Sequence, residues 1–235
     1  MRNTILFDLD GTLLPVEIED FTRVYFSEMG KYFSDLIEPE KLIDYVWTGT
    51  KAMIASLDKR TNEKVFMESF KKSIGDDIST YVGRFDSFYD KGFLLARKTV
   101  KRKPIVKDTI EILKDKGYSL VIATNPLFPE KAILHRIAWA GLDARDFDYI
   151  SNYEQNSYCK PNIEFYEEVL QALGKGPEQC YMVGNHVQED MVASRLGIKT
   201  YLVTDYMIND GEEIQGDYKG DYEDFYRFCS DLPNI

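Results

Sequence analysis

Residues 4–14, TILFDLDGTLL, decide the fold of this chain. The first four are mostly apolar and precede a turn, so they predict a short buried strand. Asp8 and Asp10 follow the strand one residue apart, and alternate side chains of an extended segment share a face. Gly11 permits a sharp exit from the strand, and Thr12 adds a hydroxyl beside the two acids. Because ligands of α/β sheets bind at the carboxyl ends of the strands, we expect a functional site here.

The composition limits the classes of partner. A chain of 235 residues with 44% hydrophobic residues can form one large domain, or a core with a smaller inserted domain. The formal net charge of −11 disfavours binding to polyanions, so we expect no nucleic-acid partner and no membrane partner. We see no signal peptide before the first strand, no apolar stretch long enough to span a bilayer and no metal-binding cysteine spacing. These features predict a cytoplasmic protein.

The segment 16–103 has apolar residues at helical spacing throughout and no strand-like alternation. It predicts four helices, at residues 17–37, 42–53, 61–74 and 78–99. We interpret this segment as an inserted all-helical domain, and residues 1–15 and 104–235 as the core.

After residue 103, short apolar runs alternate with amphipathic helices. Strands are expected at residues 118–123, 147–150, 180–183 and 200–203, and helices after Pro104, Pro129, Pro161 and Glu189. This alternation predicts an α/β fold, a Rossmann-like parallel sheet with helices on both faces. The last thirty residues are acidic and tyrosine-rich. Beyond a short helix at residues 223–228, we expect them to be loosely held.

We expect three further polar clusters to lie just after core strands, as the first does. Thr124 and Asn125 end the second strand of the core, where a hydroxyl and free main-chain N–H groups can bind phosphate oxygens; an ordinary turn is the alternative. Lys160 stands just before the helix that Pro161 opens, where an ammonium would offset phosphate charge; a solvated lysine is the alternative. The last cluster is residues 184–190, GNHVQED. Its His186 can titrate near neutral pH, although a locally hydrogen-bonded side chain is the simpler interpretation.

These clusters resemble, in their order along the chain, the four motifs of the haloacid dehalogenase superfamily of phosphohydrolases. DLDGTLL resembles the first motif, Thr124 the second, Lys160-Pro161 the third, and residues 184–190 the acidic loop. The resemblance covers residues 1–14 and about 104–203. The helical insert lies where this family carries its C1-type caps, which close over the site and contact the substrate.

The resemblance implies a phosphatase that acts on a small phosphorylated metabolite. Asp8 would be the nucleophile that forms an aspartyl-phosphate. Asp10 would protonate the leaving oxygen and then activate the water that hydrolyses the intermediate. Thr124, Asn125 and Lys160 would bind the phosphate.

The resemblance also implies a Mg²⁺ cofactor, held by Asp8, the backbone carbonyl of Asp10 and the acidic loop. In that loop Asp190 matches the second acid, and Glu189 is an additional candidate. Asn185 departs from the family pattern, which commonly has Asp at this position. An amide oxygen can still bind Mg²⁺, but it contributes no negative charge.

Two alternative functions stay open. One is a phosphosugar mutase, which would pass the phosphoryl group to a sugar hydroxyl. The other is a non-catalytic relative that binds or senses a phosphorylated ligand, which Asn185 favours. Asp10 disfavours the dehalogenase branch, which lacks this acid. We expect a monomer or a homodimer. The insert offers five possible substrate contacts, each explained more simply by packing or solvation: Arg23, Trp47, Lys51, Tyr81 and Arg84.

Overall fold

The computed structural model describes residues 1–75, 78–211, 213 and 216–235. Within these residues, six parallel strands form one sheet in the order β3-β2-β1-β4-β5-β6. The strands are β1 (Thr4–Phe7), β2 (Ser119–Ile122), β3 (Tyr149–Ile150), β4 (Cys180–Gly184), β5 (Lys199–Val203) and β6 (Tyr218–Gly220). The chain runs outward from β1 in both directions, so the strand order reverses between β1 and β4. In open α/β sheets the ligand crevice lies at such a switch point.

Side chains of the central strands alternate between two hydrophobic layers. Ile5 and Phe7 of β1 pack on one face with the helices at Pro104–Asp115 and Tyr222–Asp231, whereas Leu6 packs on the other face with the helix at Ile163–Leu173. Because both faces of a buried parallel strand need apolar residues, the strand sequences are almost continuously apolar. The predicted α/β fold, a parallel sheet with helices on both faces, is confirmed.

The helices surround this sheet and also form the block between β1 and α5. The α-helices are α1 (Ile18–Tyr32), α2 (Pro39–Ala55), α3 (Asn62–Ile74), α4 (Ser79–Asp90), α5 (Pro104–Asp115), α6 (Glu130–Ala140), α7 (Ile163–Leu173), α8 (Val187–Asp190) and α9 (Tyr222–Asp231). A 3₁₀ helix at Gly92–Thr99 completes the helical block. In the described part of the chain, no helix is long and apolar enough to cross a membrane.

The helical block joins the core through two adjacent segments. Val16 forms an antiparallel bridge with Val100, and the Lys101 N–H donates to the Pro15 carbonyl at 2.8 Å. The chain therefore enters and leaves the block at one place. Inside the block, α2 packs on α3, and α1 packs on the 3₁₀ helix through a cluster of aromatic rings that includes Phe21 and Phe93.

The structure differs from the sequence predictions at three elements. The helix expected at 78–99 is divided between α4 and the 3₁₀ helix, and the helix expected after Glu189 is divided between α8 and a 3₁₀ helix at Met191–Leu196. Strand β6 was not predicted, because it has three residues at the edge of the sheet and is largely exposed.

The prediction of a loosely held tail is wrong for the described residues after 216. Helix α9 spans Tyr222–Asp231 and buries Phe225 and Cys229 against the core. The Ile235 N–H donates to the Lys116 carbonyl, which ties the chain terminus to α5. Residues 212, 214 and 215 of the tail lie outside the described residues.

Candidate active site

The carboxyl ends of β1 and β4 bring the first and fourth polar clusters together. The Asp8 N–H donates to the Val183 carbonyl at 2.8 Å, which continues the pairing of β1 with β4 beyond the strand. Gly11 has a φ of +82°, and a Cβ there would lie 2.2 Å from Nδ2 of Asn185. Glycine is therefore required at this position both by its backbone conformation and by the close approach of the β4 loop.

Lys160 joins Asp8 to Asp190 inside the protein. Its Nζ lies 3.0 Å from Oδ1 of Asp8 and 2.6 Å from Oδ1 of Asp190, and its side chain has no exposed surface. The second oxygen of Asp190 accepts the His186 N–H at 2.9 Å. Gly184 allows this packing, because a Cβ there would lie 2.1 Å from the Asp190 carboxylate. Asp190 thus holds the lysine beneath Asp8.

Asn125 ties the second cluster to the third and fourth. Its side-chain oxygen accepts the Lys160 N–H at 3.2 Å, and its amide donates to Oε2 of Glu189 at 3.1 Å. Thr124 is buried beside it, and its carbonyl accepts a hydrogen bond from Ser151 at 2.6 Å. Residues far apart in sequence are therefore connected by direct hydrogen bonds at one edge of the sheet.

Asp10 pairs with Arg136, a residue that the sequence analysis missed. Arg136 Nη1 donates to Oδ2 of Asp10, and the guanidinium lies 4.4 Å from the centre of the Phe128 ring. Only 1% of the arginine is exposed. Among the described residues, its Nη2 and Oδ1 of Asp10 have no hydrogen-bond partner. The sequence did carry a signal, because Arg136 falls on the buried face of α6 with Ile133 and Ile137.

A cavity of about 380 Å³ opens above these residues, between the sheet and the helical block. Five of the seven predicted site residues line it: Asp8, Asp10, Thr124, Asn125 and Asn185. Lys160 and Asp190 do not line it and lie buried beneath Asp8. Trp47 is the one member of the five possible contacts in the insert that lines the cavity; Arg23, Lys51, Tyr81 and Arg84 do not.

Burial shifts the ionisation of the acids at this site. It raises the pKa of Asp8 above its usual range, and the Lys160 ammonium opposes that rise. It likewise raises the pKa of Glu189 to about 7, again opposed by Lys160. Burial disfavours the charged form of Lys160, but Asp190 and Asp8 together outweigh it and raise the lysine pKa well above its ordinary value. Shifted acids clustered in one cleft are typical of catalytic sites.

Comparisons with known proteins decide the family. A family model described as haloacid dehalogenase-like hydrolase matches residues 3–197. The chain belongs to the haloacid dehalogenase-like hydrolases. The resemblance stated from the motifs is thus confirmed.

Individual relatives of this haloacid dehalogenase-like hydrolase are distant. The chain is 23% identical over 202 residues to pyrophosphatase PpaX of Bacillus cereus, covering 86% of this chain and 83% of that protein. It is 26% identical over 199 residues to phosphoglycolate phosphatase of Aquifex aeolicus, covering 84% and 83%.

Solved structures share the fold of this hydrolase. A HAD phosphatase from Thermococcus onnurineus matches with a TM-score of 0.59 at 20% identity, covering 100% of both chains. The L-2-haloacid dehalogenase from Xanthobacter autotrophicus matches with a TM-score of 0.61 at 16% identity, covering 99% of this chain and 100% of that one.

Only some of the polar side chains at the site of this haloacid dehalogenase-like hydrolase are suitable Mg²⁺ ligands. Among residues 1–75, 78–211, 213 and 216–235, no three His, Cys, Asp or Glu side chains are grouped closely enough to hold a metal. Mg²⁺, however, usually takes one or two carboxylates and keeps several waters. Asp8 and Asn185 line the cavity. Oδ1 of Asn185 accepts a hydrogen bond from Thr12 and retains a second lone pair for a metal. Asp190 does not line the cavity, and its two oxygens accept hydrogen bonds from Lys160 and His186. Asp8 and Asn185 therefore fit Mg²⁺, whereas the buried Asp190 does not.

Asn185 and His186 have local partners in this hydrolase. Oδ1 of Asn185 accepts a hydrogen bond from Thr12 at 3.0 Å, and its amide donates to the Tyr206 carbonyl at 2.6 Å. Nδ1 of His186 accepts the Glu189 N–H at 3.4 Å, which caps the start of α8. The local role considered for His186 from the sequence therefore has a specific contact.

Proposed function

We propose that this hydrolase is a phosphatase that cleaves a small phosphate monoester through an aspartyl-phosphate on Asp8. The observation that carries the proposal is the placement of the Asp8 carboxylate on the cavity wall, 3.0 Å from the buried ammonium of Lys160. Membership of a hydrolase family and the names of the pyrophosphatase and phosphoglycolate phosphatase relatives support phosphoryl chemistry.

In the first step, a carboxylate oxygen of Asp8 attacks phosphorus while the bond from phosphorus to the leaving oxygen breaks. Asp10, in its protonated form, donates a proton to that oxygen, and the alcohol leaves. In the second step, Asp10 takes a proton from water as the water oxygen attacks phosphorus. The bond between phosphorus and Asp8 then breaks, which releases phosphate and restores both acids.

The proposed phosphate site is completed by Thr124, Asn125 and Lys160. The lysine is held by Asp190 and is already in place before the substrate arrives, so its charge needs no reorganisation during the reaction. Arg136 fixes the carboxylate of Asp10 from the opposite side. Proton transfer requires such fixed geometry, because the donor must lie within hydrogen-bond reach of the leaving oxygen.

Mg²⁺ is the proposed cofactor, with the Asp8 carboxylate, the backbone carbonyl of Asp10 and the Asn185 side chain as its protein ligands, which leaves the Asp10 carboxyl for proton transfer. When bound, the ion would reduce the repulsion between a carboxylate and an anionic phosphate. We place Asp190 with Lys160 rather than with the metal, because it does not line the cavity and its carboxylate is buried against the lysine ammonium. Glu189 of the same loop lines the cavity, and we assign it no contact with the metal.

Residues 16–103 are the proposed cap, and residues 1–15 with 104–235 the proposed catalytic core. We also propose that the protein works in the cytoplasm as a monomer or homodimer. All three cysteines, Cys159, Cys180 and Cys229, are free and buried, which suits a reducing compartment.

Phosphate release from a panel of phosphorylated metabolites tests this proposal. The panel includes p-nitrophenyl phosphate, pyrophosphate and phosphoglycolate, each measured with Mg²⁺ and with a chelator. We expect Mg²⁺-dependent release from at least one ester, and its loss in Asp8→Asn. Asp108→Asn, at an exposed position on α5, is the matched control and should retain activity.

A second candidate is a protein that binds a phosphorylated ligand without turnover. The observation in its favour is that both polar atoms of the Asn185 side chain are occupied by Thr12 and Tyr206. The same panel separates the two functions. A ligand that raises the melting temperature while no phosphate is released under any condition would support the binding protein and contradict the phosphatase.

A further inference from the structure

The cavity has two chemically different ends. At the sheet end lie its acids Asp8, Asp10 and Glu189, together with Arg136. The helical block contributes twelve described lining residues from α1 to α4, and none of them carries a charge; we call this set the uncharged end. It adjoins the sheet end, because the Phe21 ring centre lies 5.9 Å from the Arg136 guanidinium. A volume of about 380 Å³ is larger than a phosphate needs and lies in the range of small-ligand pockets. The uncharged end therefore has room for the part of the substrate that is released.

Aromatic rings dominate the uncharged end. Phe21, Phe26, Trp47, Phe66 and Phe85 all line it. Trp47 stands at the exposed side, where 42% of it remains accessible, and its ring centre lies 5.4 Å from that of Phe26. The two ring planes are tilted by 43°. Aromatic surfaces of this kind favour a flat apolar ligand, which can pack against them.

The uncharged end also contains one pair of polar groups. The hydroxyls of Tyr25 and Tyr89 lie 3.0 Å apart, and both side chains line the cavity. Two paired hydroxyls can still accept or donate one further hydrogen bond. A guest with a single neutral polar group is therefore accommodated, whereas a charged group gains no opposite charge from this wall.

The charges at the sheet end argue against a second anionic group on the substrate. Arg136 is the one cation in the described lining, and Asp10 already neutralises it. Asp8 and Glu189 add further negative character. A carboxylate or a second phosphate on the substrate would lie against an apolar wall without a countercharge. The loss of its hydration would then be uncompensated, which disfavours binding.

We propose that the substrate is a phosphate monoester of a hydrophobic, ring-bearing alcohol without a second anionic group. This inference rests on the proposed phosphatase function and specifies its substrate class. The phosphate lies at Asp8, and the ring lies between the aromatic residues of α1 and those of α2 to α4. Nη2 of Arg136, which is buried without a hydrogen-bond partner among the described residues, would donate to an oxygen of the ester.

A matched series of esters tests the substrate class. Ethyl phosphate, 2-phenylethyl phosphate and phosphoglycolate all release alkyl-type leaving groups, so differences in rate report binding rather than the chemistry of an aryl leaving group. We expect kcat/KM for 2-phenylethyl phosphate to exceed that of ethyl phosphate about tenfold or more. We expect phosphoglycolate to be poorer than 2-phenylethyl phosphate by a similar factor. Equal values for the phenylethyl and ethyl esters, or a preference for phosphoglycolate, would overturn the inference and leave the phosphatase function standing.

Variants of the uncharged wall provide the second test. Trp47→Ala should lower the ratio of kcat/KM for the phenylethyl and ethyl esters about threefold or more. Leu95→Ala removes an exposed leucine that does not line the cavity and should leave the ratio unchanged. Thr22→Lys places a cation in the wall and should shift preference toward phosphoglycolate. The assignment of the ring to this wall would be contradicted if Trp47→Ala left the phenylethyl-to-ethyl ratio unchanged and Thr22→Lys left the relative kcat/KM for phosphoglycolate unchanged.

Binding without turnover separates this inference from the proposed function. The chain has two tryptophans, and Trp139 packs on Phe93 outside the cavity. In Trp139→Phe the fluorescence of Trp47 alone reports the cavity. We expect 2-phenylethyl phosphate to change it at much lower concentration than ethyl phosphate. That result without any turnover would refute the phosphatase and support the ligand class, whereas identical titrations would refute the ligand class.

Discussion

The two ends of the cavity are built by different physical means. At the sheet end, charged side chains are fixed by buried ion pairs, of which Lys160 with Asp8 and Asp190 is the clearest. At the helical end, apolar rings pack on one another and no charge faces the cavity from the described residues. Removing one partner of a buried ion pair leaves an uncompensated charge and is strongly destabilising. Exchanging one apolar side chain for another of similar volume costs much less. We therefore propose that the sheet end carries out the chemistry and that the helical end selects the substrate.

The largest effect is expected at the sheet end. Asp8→Asn removes the proposed nucleophile, and turnover should fall to background because a neutral amide does not form the acyl phosphate. Phosphate release measured beside Asp108→Asn checks this expectation. Retained turnover in a folded Asp8→Asn protein would assign the chemistry to another group.

Loss of Arg136 comes next. Arg136→Met removes one partner of a buried pair, and we expect a loss of about 3 kcal/mol in the free energy of unfolding. We also expect kcat to fall about a hundredfold with a smaller change in KM, because Asp10 loses its positioning group. Chemical denaturation and steady-state kinetics measure the two effects. Arg136→Lys keeps the charge and should recover part of the lost stability and part of the lost kcat. Equal kinetics in the wild type, Arg136→Met and Arg136→Lys would show that Arg136 does not position Asp10 for proton transfer.

A smaller effect is expected from a change of charge in the β4 loop. Asn185→Asp should lower the Mg²⁺ concentration for half-maximal activity several-fold, because a carboxylate binds the ion more strongly than an amide. The same change removes the amide donor to the Tyr206 carbonyl, so the metal-free protein should lose about 1–3 kcal/mol. Thr12→Val is the control, since it removes the hydroxyl partner of Asn185 without adding charge. An unaltered Mg²⁺ dependence in Asn185→Asp would place the ion away from this side chain.

The smallest effect is expected at the helical end. Tyr25→Phe or Tyr89→Phe leaves one buried hydroxyl without its partner and should destabilise the protein by about 1 kcal/mol. The double variant should be close to the wild type in stability, because replacing both partners leaves no unpaired group. Thermal unfolding of the three variants measures this. Additive losses in the double variant would show that each hydroxyl acts independently.

The fold could be predicted because its signals are local. Short continuous apolar runs define β1, β2, β4 and β5, and proline and glycine mark the helix ends. Strand β6 carried no such signal, because its three residues are exposed and gain their order from pairing with β5. The tail gave a helical signal, but its burial against α5 depends on contacts distant in sequence.

The polar residues of the site could be predicted because each cluster lies at the end of an element of the core. The side chains with which these residues form ion pairs and hydrogen bonds could not be predicted. The pairing of Asp10 with Arg136 joins residues 126 positions apart, and the use of Asp190 to hold Lys160 depends on side-chain directions that spacing does not reveal. The same holds for the cavity wall, where Trp47 could not be separated from four other candidates of the insert.

The central claim is that Asp8 carries the phosphoryl group. Acid quenching during turnover, followed by peptide mass spectrometry, tests it most directly, because an acyl phosphate formed on the enzyme is trapped at the residue that holds it. We predict one added phosphoryl group on the peptide that contains Asp8, present only with substrate. Turnover with the modification on a different residue, or with no modified peptide under conditions that trap acyl phosphates, would contradict the account.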